Sequence, residues 1–269
     1  MNNVLSIDIG STRARAAVVD IDGLLCLNRI DFYNSELDSC LIPAIKNMAS
    51  MTAGIRKANV TSCVKKLAVR AEGLCAGTGL FDEINIVRAH EKLPISINYD
   101  KPQTLGTDRL CAALACAALF SGKDCIIIDA GTAVTVDCLR GGRTLECGMI
   151  LPGLTTQFES LHDKTDALPL VSVEKFKELS LPSKSTEECI KAGVLYGTSG
   201  AVANCVNLLL SNNDNDDEIA TCVNQLLRDD TIIIATGGDW ETIKPFITYD
   251  ITTIPDLTLI GAAIYPAPD

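Results

Sequence analysis

The sequence is poor in aromatic residues, in histidine and in basic charge. Aromatic residues make up 4% of the 269 positions, so a core must be built from aliphatic side chains and alanine. The two histidines, His90 and His162, give little support for a histidine-dependent hydrolase or a zinc site. Lys and Arg total 23 against 34 Asp and Glu, and the resulting net charge of -11 argues against nucleic acid as a partner.

The sequence also lacks long apolar runs and a leader-like N-terminus. We therefore expect no transmembrane helix, no signal peptide and no membrane partner. The twelve cysteines include no C-x-x-C pair. We interpret them as small buried hydrophobic residues in a reducing compartment, which predicts a cytoplasmic protein.

The chain contains an internal repeat. An apolar strand at residues 4–7 runs into Asp8 and Gly10, and a second apolar strand at 125–128 runs into Asp129 and Gly131. The offset between the two aspartates is 121 residues, and each turn is followed by another apolar strand. This repetition predicts an α/β protein made of two similar domains, at residues 1–119 and 120–269.

Periodicity and turn residues predict the remaining elements. The predicted helices cover residues 38–58, 110–119, 186–210 and 218–228, with a polar loop at 211–217. The predicted strands cover residues 65–70, 84–88, 134–139 and 231–235, and an apolar segment at 257–265 packs at the end of the chain.

Three predicted strands end in small polar turns, which read DIGST at 8–12, DAGTA at 129–133 and TGGD at 236–239. Glycine permits close approach of the backbone to a phosphate, and hydroxyls such as those of Thr12 and Thr132 can donate to phosphate oxygens. A carboxylate at a strand end, such as that of Asp8, can hold Mg²⁺ through water.

A single D-x-G-[ST] turn occurs as ordinary structure, but its repetition with a third glycine-rich turn is more specific. This arrangement resembles the phosphate 1, phosphate 2 and adenosine motifs of the actin-like ATPase superfamily. The resemblance implies a duplicated ribonuclease H-like (actin-like ATPase) fold, with ATP in a cleft between the two domains and Gly237 and Gly238 near the nucleotide.

Residues 99–109 lead directly into the alanine-rich helix. Asp108 lies where a carboxylate can cap the first N–H groups of a helix, and Arg109 could pair with a surface acid. From this segment alone, a structural cap and a catalytic carboxylate are both compatible with Asp108.

Several motifs in one order resemble the type III pantothenate kinases. They are Y-x-x-P-x-x-L-G-x-D-R at 99–109, D-x-G-T-A-x-T-x-D at 129–137, G-x-I-x-P-G-L at 148–154 and Leu168-Pro169. The resemblance continues through Thr186, Gly193, Gly197, the turn at 236–238 and residues 257–261, and so spans nearly the whole chain.

The resemblance implies an enzyme that phosphorylates pantothenate with ATP, the first step of coenzyme A biosynthesis, and that forms a homodimer. Asp108 corresponds to the proton acceptor, and Asp129 corresponds to the ligand of a monovalent cation, K⁺ or NH₄⁺. The substrate contacts correspond to Tyr99, Gly106, Thr107, Asp108, Arg109 and Thr186. The ATP contacts correspond to Asp8, Ile9, Gly10, Ser11, Thr12, Arg13, Ala14, Arg15 and Thr132.

Two alternatives remain open at this point. One is an actin-like kinase or phosphatase that acts on another small hydroxylated substrate. The other is a catalytically weak regulatory homologue that acts as a transcriptional accessory factor.

Overall fold

A computed structural model describes residues 2–172, 181–210 and 230–266. Two compact units are present. Among the described residues, the first unit comprises 2–122, 141–146 and 256–266, and the second comprises 123–140, 147–172, 181–210 and 230–255. The boundaries of these units differ from the predicted division after residue 119, because the segment from Asp256 packs with the first unit.

Strands and helices are numbered in chain order. The strands are β1 (Asn3–Ile9), β2 (Arg13–Asp20), β3 (Leu25–Tyr33), β4 (Lys57–Ser62), β5 (Glu83–Ile86), β6 (Ser96–Ile97), β7 (Cys125–Ala130), β8 (Ala133–Arg140), β9 (Thr144–Pro152), β10 (Ile232–Thr236) and β11 (Thr252–Thr253). The α-helices are α1 (Leu37–Met51), α2 (Lys65–Ala76), α3 (Thr107–Leu119), α4 (Leu154–Asp163), α5 (Thr186–Leu210), α6 (Trp240–Ile243) and α7 (Leu257–Ala263).

The first unit is built on a mixed sheet with the strand order β3-β2-β1-β4-β5. β1 is antiparallel to β2 and parallel to β4. All seven residues of β1 are buried, which fits a strand in the middle of the sheet. One core cluster joins the sheet to α1 and α2, through side chains that include Ile7, Leu41, Ile45, Val60 and Ala71.

The second unit repeats this arrangement. Its strands follow the order β9-β8-β7-β10-β11, with β7 antiparallel to β8 and parallel to β10, and the short strand β6 pairs with the start of β9 as a sixth strand of this sheet. The core cluster of this unit includes Ile126, Phe158, Val202 and Trp240. Five strands therefore have the same order in both sheets, with β6 as an addition to the second, and the duplication predicted from the sequence repeat is confirmed.

Most of the predicted elements are present. The predicted helix at 110–119 is α3, the helix at 186–210 is α5, and the strands at 84–88, 134–139 and 231–235 are β5, β8 and β10 with shifted ends. The predicted loop at 211–217 and helix at 218–228 lie outside the described residues.

The prediction for residues 65–70 is wrong, because this segment begins α2 and the strand of this region is β4. Buried residues Ala68, Ala71 and Cys75 follow helical spacing. The predicted helix at 38–58 ends at Met51, and Gly54, with φ of 81°, turns the chain toward β4.

One helix within the described ranges, α5, is long and apolar enough to cross a membrane by length and composition alone. Core helices of globular proteins share these properties, and 44% of the apolar window is buried. Its buried side chains include Leu195, Val202, Val206 and Leu209, which belong to the core of the second unit.

Helix α7 lies close to α3, and glycine permits this approach. A Cβ atom on Gly261 would lie 1.7 Å from the carbonyl oxygen of Cys111. We expect Gly261→Ala to lower the free energy of unfolding by about 3 kcal/mol, because the backbone of α3 cannot yield as a side chain can. Urea unfolding followed by circular dichroism measures this change.

The matched control is Gly73→Ala in α2, where an added Cβ would have no atom within 4 Å. This exposed helical position should gain about 0.5–1 kcal/mol from the higher helix propensity of alanine. Similar effects of the two substitutions would contradict the close packing of α7 on α3.

Candidate active site

The first polar turn connects β1 to β2. Asp8, near the end of β1, is buried, whereas Ser11, Thr12 and Arg13 are exposed. The Gly10 N–H donates to the Arg13 carbonyl at 2.9 Å and closes the turn. Residues 8–15, all predicted to contact ATP, therefore form one strand–turn–strand segment.

Asp8 belongs to a buried network with Arg15 and Thr258. Arg15 forms an ion pair with Asp8 Oδ2 and donates to Thr258 Oγ1 at 2.8 Å. Thr258, on α7, donates to the same Oδ2 atom at 3.1 Å. This network fixes the carboxylate that was predicted to hold Mg²⁺ through water.

The second polar turn connects β7 to β8 and has a related geometry. The Gly131 N–H donates to the Ala133 carbonyl at 2.9 Å. The Thr132 carbonyl accepts hydrogen bonds from the Gly153 N–H at 3.0 Å and from Thr156 Oγ1 at 2.7 Å. A Cβ on Gly153 would lie 2.0 Å from the Gly131 carbonyl oxygen, so glycine is required for this contact.

The third polar turn follows β10 and contacts the end of β7. Gly237 has φ of 98°, and a Cβ there would lie 2.2 Å from the Ala130 carbonyl oxygen. The Asp239 N–H donates to the same carbonyl at 2.9 Å, and burial raises the pKa of the Asp239 carboxyl. The turns at 129–133 and 236–239 are therefore adjacent within the second unit.

The carboxylate of Asp108 lies at the start of α3. Gly106 is the N-cap residue, so Asp108 is the second helical residue rather than the cap. Its Oδ1 accepts from the Arg109 N–H at 2.8 Å, and its Oδ2 accepts from the Cys63 thiol at 3.2 Å. A Cβ on Gly106 would lie 2.5 Å from Oδ1, so glycine leaves room for the carboxylate.

Three further predicted substrate residues lie beside Asp108 in the first unit. Arg109 is buried, not on the surface, and its guanidinium lies 5.7 Å from the centroid of the Tyr99 ring. Thr107 Oγ1 accepts a hydrogen bond from Thr61 Oγ1 at 2.8 Å. The structure thus brings Tyr99 and residues 106–109 together around the start of α3.

The other predicted residues lie in the second unit. They are Asp129 at the end of β7, Thr132 in the following turn, Gly237 and Gly238 after β10, and Thr186 at the start of α5. Thr186 is exposed. The predicted meeting of these residues with those of the first unit stays a prediction.

Sequence reasoning missed three residues of the site, which are Thr61, Cys63 and Thr258. Thr61 and Cys63 lie at the end of β4, whose carboxyl end meets that of the parallel strand β1. A strand that ends at these two residues could have been predicted from the sequence, but the strand was placed at 65–70 instead. Thr258 is 250 residues from its partner Asp8, and no local pattern indicates such a contact.

The residues present fit a nucleotide with a metal ion. Tight turns with the exposed hydroxyls of Thr12 and Thr132 suit phosphates, and the carboxylates of Asp8 and Asp129 are the hard oxygen ligands that Mg²⁺ and K⁺ prefer. Within the described ranges, no group of three or more His, Cys, Asp or Glu side chains could hold a metal ion. A divalent cation would therefore take most of its ligands from phosphate oxygens and water.

Comparisons with known proteins agree with the fold described above. The activator of the 2-hydroxyisocaproyl-CoA dehydratase from Clostridium difficile, solved with bound ADPNP, is similar in fold. Its TM-score is 0.51 at 16% identity, with coverage of 97% of this chain and 92% of that chain. This likeness supports the predicted duplicated α/β fold class, which is thereby confirmed.

Sequence relatives carry the comparison further. A type III pantothenate kinase from Legionella pneumophila (strain Paris) is 30% identical over 261 residues, which cover 96% of each chain. One from Cytophaga hutchinsonii is 34% identical over 179 residues, or 66% of this chain and 69% of its own. The family model for type III pantothenate kinase matches residues 4–208, so this chain belongs to the type III pantothenate kinase family.

Proposed function

We propose that this protein transfers the γ-phosphoryl group of ATP to the terminal hydroxyl of pantothenate, the first step of coenzyme A biosynthesis. The observation that carries the proposal is the fixed carboxylate of Asp108. Both of its oxygens accept hydrogen bonds, and it lies beside the buried Arg109 in the segment that bears the family's motif.

Asp108 acts as the proton acceptor in this proposal. Phosphoryl transfer passes through a loose transition state, so catalysis depends on positioning and charge neutralisation. The carboxylate orients the attacking hydroxyl and takes its proton late in the transfer. Its hydrogen bonds to Arg109 N and Cys63 Sγ restrict its rotation, which supports this role.

Arg109 binds the carboxylate or an amide oxygen of pantothenate. Its guanidinium presents donors in a planar fork that suits such groups. Stacking against Tyr99 at 5.7 Å supports a fixed orientation. Gly106, Thr107 and Thr186 complete the proposed substrate contacts.

The proposed ATP site comprises residues 8–15, Thr132, Gly237 and Gly238. Thr12 and Thr132 are exposed at the two turns, where their hydroxyls can donate to phosphate oxygens. Asp8 holds Mg²⁺ through water. When bound, this ion neutralises charge that develops on the phosphates.

Asp129 is the proposed ligand of a monovalent cation, K⁺ or NH₄⁺. We further propose a cytoplasmic homodimer that binds neither membranes nor nucleic acid. The net charge of -11 supports the absence of a nucleic-acid partner, because phosphate backbones repel an acidic surface.

Replacing the proposed base tests the function. In K⁺ buffer with Mg·ATP, we expect ADP release that depends on pantothenate, and Asp108→Asn should lower kcat by about 10²- to 10⁴-fold, the usual contribution of a positioned base. The matched control is Asp38→Asn, since Asp38 is also the second residue of a helix, α1. That variant should retain the parent's kcat.

Two outcomes would contradict the proposed function, and a third would contradict the role of Asp108. ADP release at the same rate without pantothenate would be hydrolysis of ATP, with water as the phosphoryl acceptor, and pantothenate would then not be the substrate. Nucleotide binding with no turnover in K⁺, NH₄⁺ or Na⁺ buffer would favour the regulatory homologue. Equal losses of kcat in the Asp38 and Asp108 variants would show that Asp108 is not the base.

The exposed thiol of Cys63 offers a second test of the site. N-ethylmaleimide at pH 8 should modify Cys63, place a bulky group beside Asp108 and abolish turnover. Burial raises the pKa of Cys26 and of Cys75 to about 12, so these thiols should stay protonated and react slowly. Peptide mass spectrometry and residual activity measure the two effects.

The control variants separate the exposed thiols. Cys63→Ser keeps a hydrogen-bond donor near Asp108 and should remain active after the treatment. Cys189→Ser removes another exposed thiol and should be inactivated as the parent is. Pantothenate should protect the parent. Inactivation of Cys63→Ser at the parental rate would show that a thiol other than Cys63 causes the loss, and that a bulky group beside Asp108 does not.

A further inference from the structure

Asn34 makes three hydrogen bonds to the first polar turn. It directly follows β3 and begins a short 3-10 helix, Asn34–Glu36. Its backbone N–H donates to the Thr12 carbonyl at 3.0 Å, and its Nδ2 donates to the carbonyls of Gly10 and Ser11, each at 3.0 Å. One residue thus binds three consecutive carbonyls of the turn.

These bonds determine where the N–H groups of the turn point. In a planar trans peptide the N–H points opposite to the carbonyl of the same peptide unit. The N–H groups of Ser11 and Thr12 therefore face away from Asn34. Within the described part of the chain, no residue accepts a backbone hydrogen bond from either of them. Two adjacent N–H groups in a turn form a concave binding site for an anion.

The orientation of the Asn34 amide is determined by its neighbours. Two carbonyl oxygens face Nδ2, and a flipped amide would place Oδ1 against them. This orientation leaves Oδ1 buried and without a hydrogen-bond partner among the described residues. A buried unpaired acceptor is unfavourable, so the bonds to the turn must offset its burial.

The second unit contains the same contact at the equivalent place. Gly153 directly follows β9, as Asn34 follows β3, and each of these strands lies beside the second strand of its hairpin, β9 next to β8 and β3 next to β2. The Gly153 N–H donates to the Thr132 carbonyl at 3.0 Å, as Asn34 N–H donates to that of Thr12. In the second unit Thr156 Oγ1 supplies a side-chain bond, at 2.7 Å, where the first unit uses the Asn34 amide.

We propose that Asn34 is a positioning residue for the nucleotide phosphates, which it serves by turning the N–H groups of Ser11 and Thr12 toward them. The inference rests on the proposed function, because it requires the first turn to bind ATP. The neighbouring Arg13 contributes to the same arrangement, since it donates to the Tyr33 hydroxyl at 3.2 Å and stacks on that ring.

Two substitutions at Asn34 test the proposal by calorimetric titration with Mg·ADP. Asn34→Ala removes two side-chain hydrogen bonds and should raise Kd about tenfold. Asn34→Asp keeps the shape but sets a negative oxygen against two carbonyls and near the phosphates, and should raise Kd about 100-fold. In both variants the KM for pantothenate should stay within about twofold of the parent, a split that a general loss of structure would not give.

The matched control is Asn28→Ala in β3, the strand that precedes Asn34. Asn28 Nδ2 donates to Thr52 Oγ1 at 3.2 Å, away from the turn. This variant should bind Mg·ADP as the parent does. A thermal melt of each variant reports whether the fold is retained.

The results separate this inference from the proposed function. Parental Mg·ADP affinity in Asn34→Ala would overturn the inference, and so would a matching rise in the KM for pantothenate together with a lower melting temperature. If the parent binds Mg·ADP and Asn34→Ala weakens it, the inference stands even where pantothenate is not phosphorylated, and only the proposed function fails.

Discussion

The packing of α7 against the sheet and α3 of the first unit is the contact on which the position of Asp8 depends. Ser6 Oγ donates to the Leu259 carbonyl at 2.7 Å, and Asn59 Nδ2 donates to the Ala262 carbonyl at 2.8 Å. Both side chains are buried within the sheet, so their donors must be satisfied by α7. The helix in turn brings Thr258 to Asp8, which fixes the carboxylate at the end of β1. A stability contact and a site contact are thus made by the same helix.

The duplication gives the second constraint. Each unit has a central strand that ends in a polar turn, an antiparallel neighbour and a third strand whose following residue donates to that turn. Because the same strand order produces the same backbone geometry twice, both turns proposed to bind phosphate arise from one arrangement of strands. The units differ in what surrounds the turn, since the first relies on side chains such as Asn34 and the second on Gly153 and Thr156.

The sequence predicted those features that depend on local pattern. The ends of β1, β7 and β10 were recognised because apolar runs stop at aspartate, threonine and glycine, and α5 because its apolar content extends over 25 residues. β4 was missed because Asn59 interrupts its apolar character. This buried polar residue is explained by distant contacts, since its Nδ2 donates to Ala262 of α7, 203 residues away, and its Oδ1 accepts from Asn85. The roles of Thr258 and Asn34 likewise arise from distant or backbone contacts, which leave no spacing to detect.

The proposed ATP site requires the polar turns of both units to bind one nucleotide. Hydrogen exchange measured by mass spectrometry, with and without saturating Mg·ADP, tests it directly, since amides that donate to phosphate exchange more slowly. The account predicts slower exchange at residues 10–13 in the first unit and at 131–133 and 237–239 in the second, with little change in α2. Protection confined to one unit, or absent from both turns, would contradict it.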